Sequence, residues 1–343
     1  MTTLNECLAD WSGENADRRS VAKIIEAIAA GAADLVTVVA QGPLAGDLGL
    51  VLGESRDGDG QKAIDLYANE LYKTRLREAG AASMASEEDN GVVVLNPDGR
   101  FSVAIDPLDG SNNVVNNAPM GTVFSVLPAI QGGSPEASFL VPGSEQQAAG
   151  FLLFGPYTAL VLTVCAGTHV FTLEPTSRTF ILTRGPLVIP HAQRTYAING
   201  SNARHWPLPI RAFVEECIAG TEGPRGVDYN TRWLGAVVSE AYRILNHGGI
   251  YLYPGDTRPG YMRGRLRLLY ECNPIALLVE QAGGVATDGF SRILDLTPSD
   301  IHEHSPLIFG SPDKVDRVIA LYTDHVPQAG QRPLFSARGL FRS

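Results

Sequence analysis

From Ala82 to Ile189 the chain is a succession of short segments rich in strand formers: ASMAS, GVVVLN, FSVAI, TVFSVLPAI, AAGFLLF, ALVLTV, THVFTLEP and FILT. Gly, Pro, Asn and Asp separate them. So many consecutive strands must build a sheet, and the sheet must bury its apolar faces under helices. Those helices are expected on either side of the strand-rich tract. Asn15 to Ala40 carries apolar residues at helical spacing and predicts one long helix or two abutting ones. Lys62 to Gly80 repeats the pattern, with Gly80 placed to stop it. Beyond Ile189 the pattern alternates: YAIN, a helix over Pro209 to Ala219, another over Trp233 to Asn246, IYLYP, a helix after Asn273-Pro274, then GVATDG and PLIFG. The first part is α+β and the second α/β. Two subdomains follow, 1–190 and 191–343, layered from sheet and helix with a cleft between them.

A chain of 343 residues with 44% hydrophobic content can bury the core this requires. Its longest apolar stretch, Ala148 to Val164, is divided by Gly155-Pro156 and reads as two buried strands rather than a membrane span. The N-terminus has no basic region followed by an apolar one, so no secretory signal is expected, and the cytoplasm is the expected compartment. A net charge of −10, with basic residues clustered only at Arg263 to Arg267, argues against nucleic acid as a partner. Any anionic ligand must be met locally. Four cysteines (Cys7, Cys165, Cys217, Cys272) with no C-x-x-C spacing predict reduced, mostly buried thiols rather than a zinc or redox site.

The segment that ordinary strand chemistry does not explain is DPLDGSNN, Asp106 to Asn113, directly after FSVAI. Pro107 stiffens the backbone between two aspartates, so both carboxylates and the Leu108 carbonyl can point to one spot. Hard divalent cations such as Mg²⁺ take oxygen ligands of this kind and share them with substrate phosphate. Gly110-Ser111-Asn112 then offers unhindered N–H groups to that phosphate. The alternative is an Asx turn with solvated aspartates. Glu87-Glu88-Asp89 forms a second acidic cluster, which alone would be a solvated loop. Glu271, just ahead of a helix that Asn273 can cap and Pro274 begins, would alone be a dipole-stabilising charge.

Taken together, AIDLYANE, SEED, DPLDGSNN, YAIN, GGIYLYP, LRLLYECNP, EQAGG and the tail PLFSARGLFR resemble the class 1 fructose-1,6-bisphosphatases, and they span nearly the whole chain. D-P-x-D-G-S alone would indicate only the wider superfamily of metal-dependent, lithium-sensitive sugar and inositol phosphatases. SEED followed by LRLLYECNP is specific to the bisphosphatases. The resemblance implies a layered α/β/α/β/α fold with the active site between two subdomains. The implied reaction is Mg²⁺-dependent hydrolysis of the 1-phosphate of fructose 1,6-bisphosphate, with two or more Mg²⁺ per subunit and Mn²⁺ as a substitute. Sedoheptulose-1,7-bisphosphatase activity, alone or as a second activity, is the nearest rival, and a non-enzymatic sugar-phosphate sensor stands further off. By position, the resemblance makes Glu87, Asp106, Asp109, Glu271 and the Leu108 carbonyl metal ligands, and Glu88, Asp65 and Asp59 the base and loop carboxylates. Asp109, Gly110, Ser111 and Asn112 meet the reacting phosphate. Asn199, Arg232, Trp233, Tyr253 and Arg265 meet the sugar and the distant phosphate, with Arg232 reaching in from a neighbouring subunit, which implies a homo-oligomer, most often a tetramer. Two departures stand out: Arg265 replaces the usual Lys, and Trp233 and Asn202 stand where many relatives have Tyr.

Overall fold

The computed structural model describes residues 1–54 and 60–325. Asp59 and the tail motif at 333–342 lie outside the described residues. The chain opens with α1 (Leu4–Ser12), α2 (Ala16–Gln41), the hairpin β1 (Val51–Glu54) and β2 (Gly60–Lys62), and α3 (Ala63–Glu78). Strands β3 (Ser83–Ser86), β4 (Val93–Val94), β5 (Phe101–Asp109), β6 (Met120–Pro128), β7 (Ala148–Phe154), β8 (Thr158–Thr163), β9 (Thr168–Glu174) and β10 (Thr179–Arg184) follow. They form one eight-stranded sheet in the order β10-β9-β8-β7-β6-β5-β3-β4, antiparallel throughout except for β3 with β5.

The second half supplies β11 (Thr195–Ala197), α4 (Leu208–Ile218), β12 (Asn230–Thr231), α5 (Val237–His247), β13 (Ile250–Tyr253), β14 (Leu266–Arg267), α6 (Asn273–Gln281), β15 (Val285–Thr287), β16 (His304–Ser305), β17 (Leu307–Gly310) and α7 (Pro312–His325). A mixed five-stranded sheet runs β12-β11-β13-β17-β15, and β14 pairs with β16.

Strand alternation explains the layering. On β7, Ala148, Leu152 and Phe154 join a core with Ile24, Ile25 and Ile28 of α2 and Tyr72 of α3, whereas Ala149 and Phe151 face Val238 and Ile244 of α5 and Ile275 of α6. On β13, Tyr251 faces that second core, while Ile250 and Leu252 turn to Phe213 of α4 and Val318 of α7. The order is therefore helices, large sheet, α5 and α6, small sheet, helices: the five-layer fold expected. Helix α2 with the turn after it is long and apolar enough to cross a bilayer, but Ile24, Ile25, Ile28, Ala32 and Leu35 are buried in the first core.

Four expectations need correction. Helix α5 begins at Val237, not Trp233, because Gly235 takes φ +76° and Ala236 is extended; Arg232 and Trp233 therefore sit on the loop after β12. Helices α1 and α7 lie outside those expected from periodicity, although Thr3 and Glu6 form a capping box at the start of α1. Asn273 does not cap α6; it is that helix's first residue, and a π-helical turn over Leu268–Cys272 leads into it. Of the cysteines only Cys217 and Cys272 are buried, Cys7 is half-buried and Cys165 exposed, though all four are free thiols.

Candidate active site

Strand β5 does not stop at Ile105. It continues to Asp109, with Asp106 opposite Val123 and Asp109 opposite Gly121, three steps on one strand against two on its neighbour. In a regular strand residues three apart point to opposite faces; the one extra residue of this bulge brings both carboxylates to the same side. The bulge is held from within. The Thr122 hydroxyl donates to the Pro107 carbonyl at 2.9 Å and lies 2.8 Å from the buried Tyr72 hydroxyl. Asp106 Oδ1 accepts the Leu108 N–H at 2.9 Å, so an Asx turn does form, but Asp106 is only 3% exposed rather than solvated.

Asp109 lies at the N-terminus of α5 and its Oδ2 accepts the Val238 N–H at 3.0 Å. Gly110 follows with φ +75°, and a Cβ there would meet the Ala236 Cβ at 2.7 Å, so only glycine allows the turn and helix to approach. Glu271 arrives from the π-helical turn. Its Oε2 accepts the Arg267 N–H at 2.6 Å. One ligand oxygen from each of Asp106, Asp109 and Glu271 lies within 4.8 Å of the others. Burial, and then repulsion by Glu87 and Asp109, holds the Asp106 and Glu271 carboxyls well above the usual range. Asp109 is pushed up to about 7 chiefly by burial, against the pull of the Val238 N–H. Three buried acids converge, their repulsion only partly offset by the pull of Arg267 on Glu271, and form a donor set for a hard cation. Leu108 and Glu87 line the same cavity, of about 420 Å³.

Glu87 is half-buried, its Oε1 3.6 Å from Arg267 Nε. Glu88 turns toward β2: Gln61 Nε2 donates to its carboxylate at 2.7 Å and to its backbone carbonyl at 2.8 Å. Burial first, then the charges of Asp65 and Glu87, push Glu88 up to about 7. Asp65 accepts the Lys62 N–H at 2.8 Å in the first turn of α3 and is raised by burial. Lys62, 9% exposed, donates from Nζ to Asn112 Oδ1 at 2.7 Å and to Ser111 Oγ at 3.2 Å, pinning the turn after Asp109. Gln61, Lys62 and Arg267 are polar groups of the site that sequence reasoning missed. Gln61 and Lys62 adjoin the AIDLYANE motif, and Arg267 stands inside LRLLYECNP, but nothing in spacing alone tells where their side chains go.

The opposite wall is aromatic and basic. Trp233 stacks parallel on Tyr251 at 5.9 Å between centroids, Tyr253 lies 5.9 Å from Trp233, and Arg265 lines the cavity beside them. Tyr253 and Arg265 also line a small adjoining pocket with Asn199 and Asn202. Arg232 is exposed, donates to the Thr231 carbonyl at 3.0 Å and does not line the cavity of its own chain. The fully buried Glu240, paired with Arg243, accepts the Leu234 N–H at 2.7 Å and ties this loop to α5. One cavity thus joins a cation-binding acidic cluster with a nearby raised carboxylate, a glycine turn and an arginine. It suits a small molecule carrying anionic groups.

Known proteins are similar to this chain over nearly its whole length. The family model described as Fructose-1-6-bisphosphatase, N-terminal domain, matches residues 2–185, and the corresponding C-terminal domain model matches 189–323. A protein of Acidiphilium cryptum named Fructose-1,6-bisphosphatase class 1 is 50% identical over 99% of this chain and 96% of its own length. Another of that name from Rhodopseudomonas palustris is 49% identical over 99% of this chain and 98% of its own. The crystal structure of Leishmania major fructose-1,6-bisphosphatase in holo form superposes with a TM-score of 0.87 at 29% identity, covering 94% of this chain and 99% of that one.

Proposed function

The chain belongs to the class 1 fructose-1,6-bisphosphatase family, and from that premise we infer that it is a phosphoric monoester hydrolase removing the 1-phosphate of fructose 1,6-bisphosphate in the cavity described above. The observation that carries this reading is the convergence of Asp106, Asp109 and Glu271 within 4.8 Å in a cavity that Arg265 also lines, where it meets the small pocket.

The family is metal-dependent, and the all-oxygen donor set of buried carboxylates suits Mg²⁺, with Mn²⁺ as a substitute. Asp106, Asp109, Glu271, Glu87 and the Leu108 carbonyl would hold two or more ions. Such ions, when bound, neutralise phosphate charge and make a neighbouring water more acidic. The chain does the rest. Glu88, steadied by Gln61 and kept proton-hungry by burial, accepts the proton of the attacking water, with Asp65 sharing the charge. Gly110, Ser111 and Asn112 direct N–H groups at the reacting phosphate, and Lys62 holds that turn in place. Trp233 and Tyr253 flank the sugar, and Asn199 and Arg265 take the distant phosphate. Arg232, exposed on its own subunit, serves a neighbour's site in a homo-oligomer, a tetramer in this reading. The division into subdomains 1–190 and 191–343 and the cytoplasmic location belong to the same reading.

The deciding experiment measures phosphate release from fructose 1,6-bisphosphate and from sedoheptulose 1,7-bisphosphate with Mg²⁺. Preference for the hexulose supports the reading. Preference for the heptulose makes the protein a sedoheptulose-1,7-bisphosphatase, and release from neither, with tight binding, makes it a sensor.

A further inference from the structure

The loop from Gly255 to Gly264 belongs to none of the motifs that define the site, yet it ends one residue before Arg265. It is closed tightly on itself. The Tyr261 carbonyl accepts both the Asp256 N–H at 2.9 Å and the Gly264 N–H at 3.0 Å, and the Tyr261 N–H donates to the Arg258 carbonyl at 3.1 Å. Asp256, 8% exposed, binds Arg258 through the backbone N–H at 2.9 Å and through the guanidinium. Arg258 also donates to Asn202 Oδ1 at 3.0 Å, which fastens Asn202, a residue of the small pocket's wall, to this loop.

Within this frame the Tyr261 ring carries two guanidinium groups, Arg258 at 4.9 Å from its centroid and Arg265 at 3.9 Å. The charge of Arg258 is matched by Asp256. Arg265 has no carboxylate among its described ion pairs and faces both the large cavity and the small pocket. A guanidinium is planar and stacks on an aromatic face while its N–H fork stays available; an ammonium has no plane to orient.

We propose that Tyr261 is a positioning residue for the distant phosphate: its ring, braced by Asp256 and Arg258, sets the plane of Arg265. This also accounts for an arginine at this position, since ring and guanidinium work as a pair. Tyr261 lines the small pocket but not the large cavity, so it has no part in the chemistry at the acidic end. The inference rests on reading the cavity as a bisphosphate site.

The test uses the full chain with saturating Mg²⁺. Tyr261 is 36% exposed, so Tyr261→Leu removes the ring without opening the core, which an unchanged Tm verifies. From the strength of exposed cation–π pairs, its KM for fructose 1,6-bisphosphate and its inhibition constant for fructose 6-phosphate should rise together about two- to fivefold with kcat held. Tyr261→Phe keeps the ring and should match the parent. In a double-mutant cycle Arg265→Lys should weaken substrate binding in the parent and add little in Tyr261→Leu. Unchanged KM in Tyr261→Leu, or additive effects in the cycle, would overturn the proposal while leaving the activity intact. Absence of fructose 1,6-bisphosphate turnover by the unaltered protein would instead remove the reading beneath it.

Discussion

Asp109→Asn should stabilise the metal-free protein while destroying its response to metal. Asp109 is buried beside Glu87, and its carboxyl is displaced from its usual 3.8 to about 7. For an acid raised in the folded state, stability is full below pH 4, is lost between pH 4 and 7 as the unfolded chain ionises first, and stays low above. A displacement of about 3 pH units at 1.36 kcal/mol each sets a ceiling of about 4 kcal/mol on the loss at pH 8. Neighbours that keep their protons will reduce it. The Asn variant retains an oxygen for the Val238 N–H and carries no charge. In chelator at pH 8 it should therefore be about 1 to 4 kcal/mol more stable than the parent, a rise of several degrees in Tm, whereas at pH 4 the two should melt together. Adding Mg²⁺ should raise the parent's Tm and leave the variant's almost unmoved, because binding stabilises only a site that can bind. Thermal melts at two pH values, with chelator and with Mg²⁺, provide all the comparisons. An Asn variant no more stable than the parent at pH 8, or equally stabilised at both pH values, would refute the argument that burial of the Asp109 carboxyl, with the charge of Glu87 beside it, destabilises the metal-free site.

Turnover should vanish in excess chelator, return with Mg²⁺ or Mn²⁺ and fall with Li⁺; undiminished activity in chelator would contradict the donor-set argument. Glu88→Gln should lower kcat by about 10² to 10⁴ with little change in KM, while Arg232→Ala should act mainly on KM, and steady-state kinetics showing the reverse would exchange their roles. Inhibition by AMP should be weak. Resemblance to AMP-inhibited class 1 enzymes would put a nucleotide site at the turn Ser12-Gly13-Glu14-Asn15-Ala16 with the strand pair Arg100-Phe101; here Asn15 Oδ1 accepts the Asp17 and Arg18 N–H groups, and Asp17 is paired with Arg100. A dose–response curve with inhibition in the low micromolar range would overturn this. With four free cysteines in the structure, dithiothreitol should not activate the enzyme, and a large activation would point to a disulfide.

Much of the fold could be read in advance because periodicity is local: strands β5 to β10 and helices α2, α3, α4 and α6 fall where apolar spacing put them. The misplaced start of α5 and the π-helical turn before α6 have a common cause. In both, the backbone departs from its propensity to deliver Trp233 and Glu271 to the cavity, and such departures depend on what lies opposite in space. The same reason hid the bulge in β5. Asp106 and Asp109 could be matched as a pair, but that they share a face follows from their pairing with Val123 and Gly121.

By itself the amino-acid sequence determined the chemistry available: oxygen donors in three separate acidic segments and a glycine turn for phosphate, with the cations for a second anion supplied by resemblance to the family. Side-chain type is a property of position along the chain, so these needed no coordinates. Only the tertiary structure decided which donors meet. It brought Asp106, Asp109 and Glu271 within 4.8 Å, set Gln61 against Glu88 and Lys62 against the Ser111-Asn112 turn, and laid Arg265 on Tyr261. Raised carboxyls, a held base and an oriented guanidinium are effects of distance and burial, and distance between residues far apart in sequence exists only once the layers have packed.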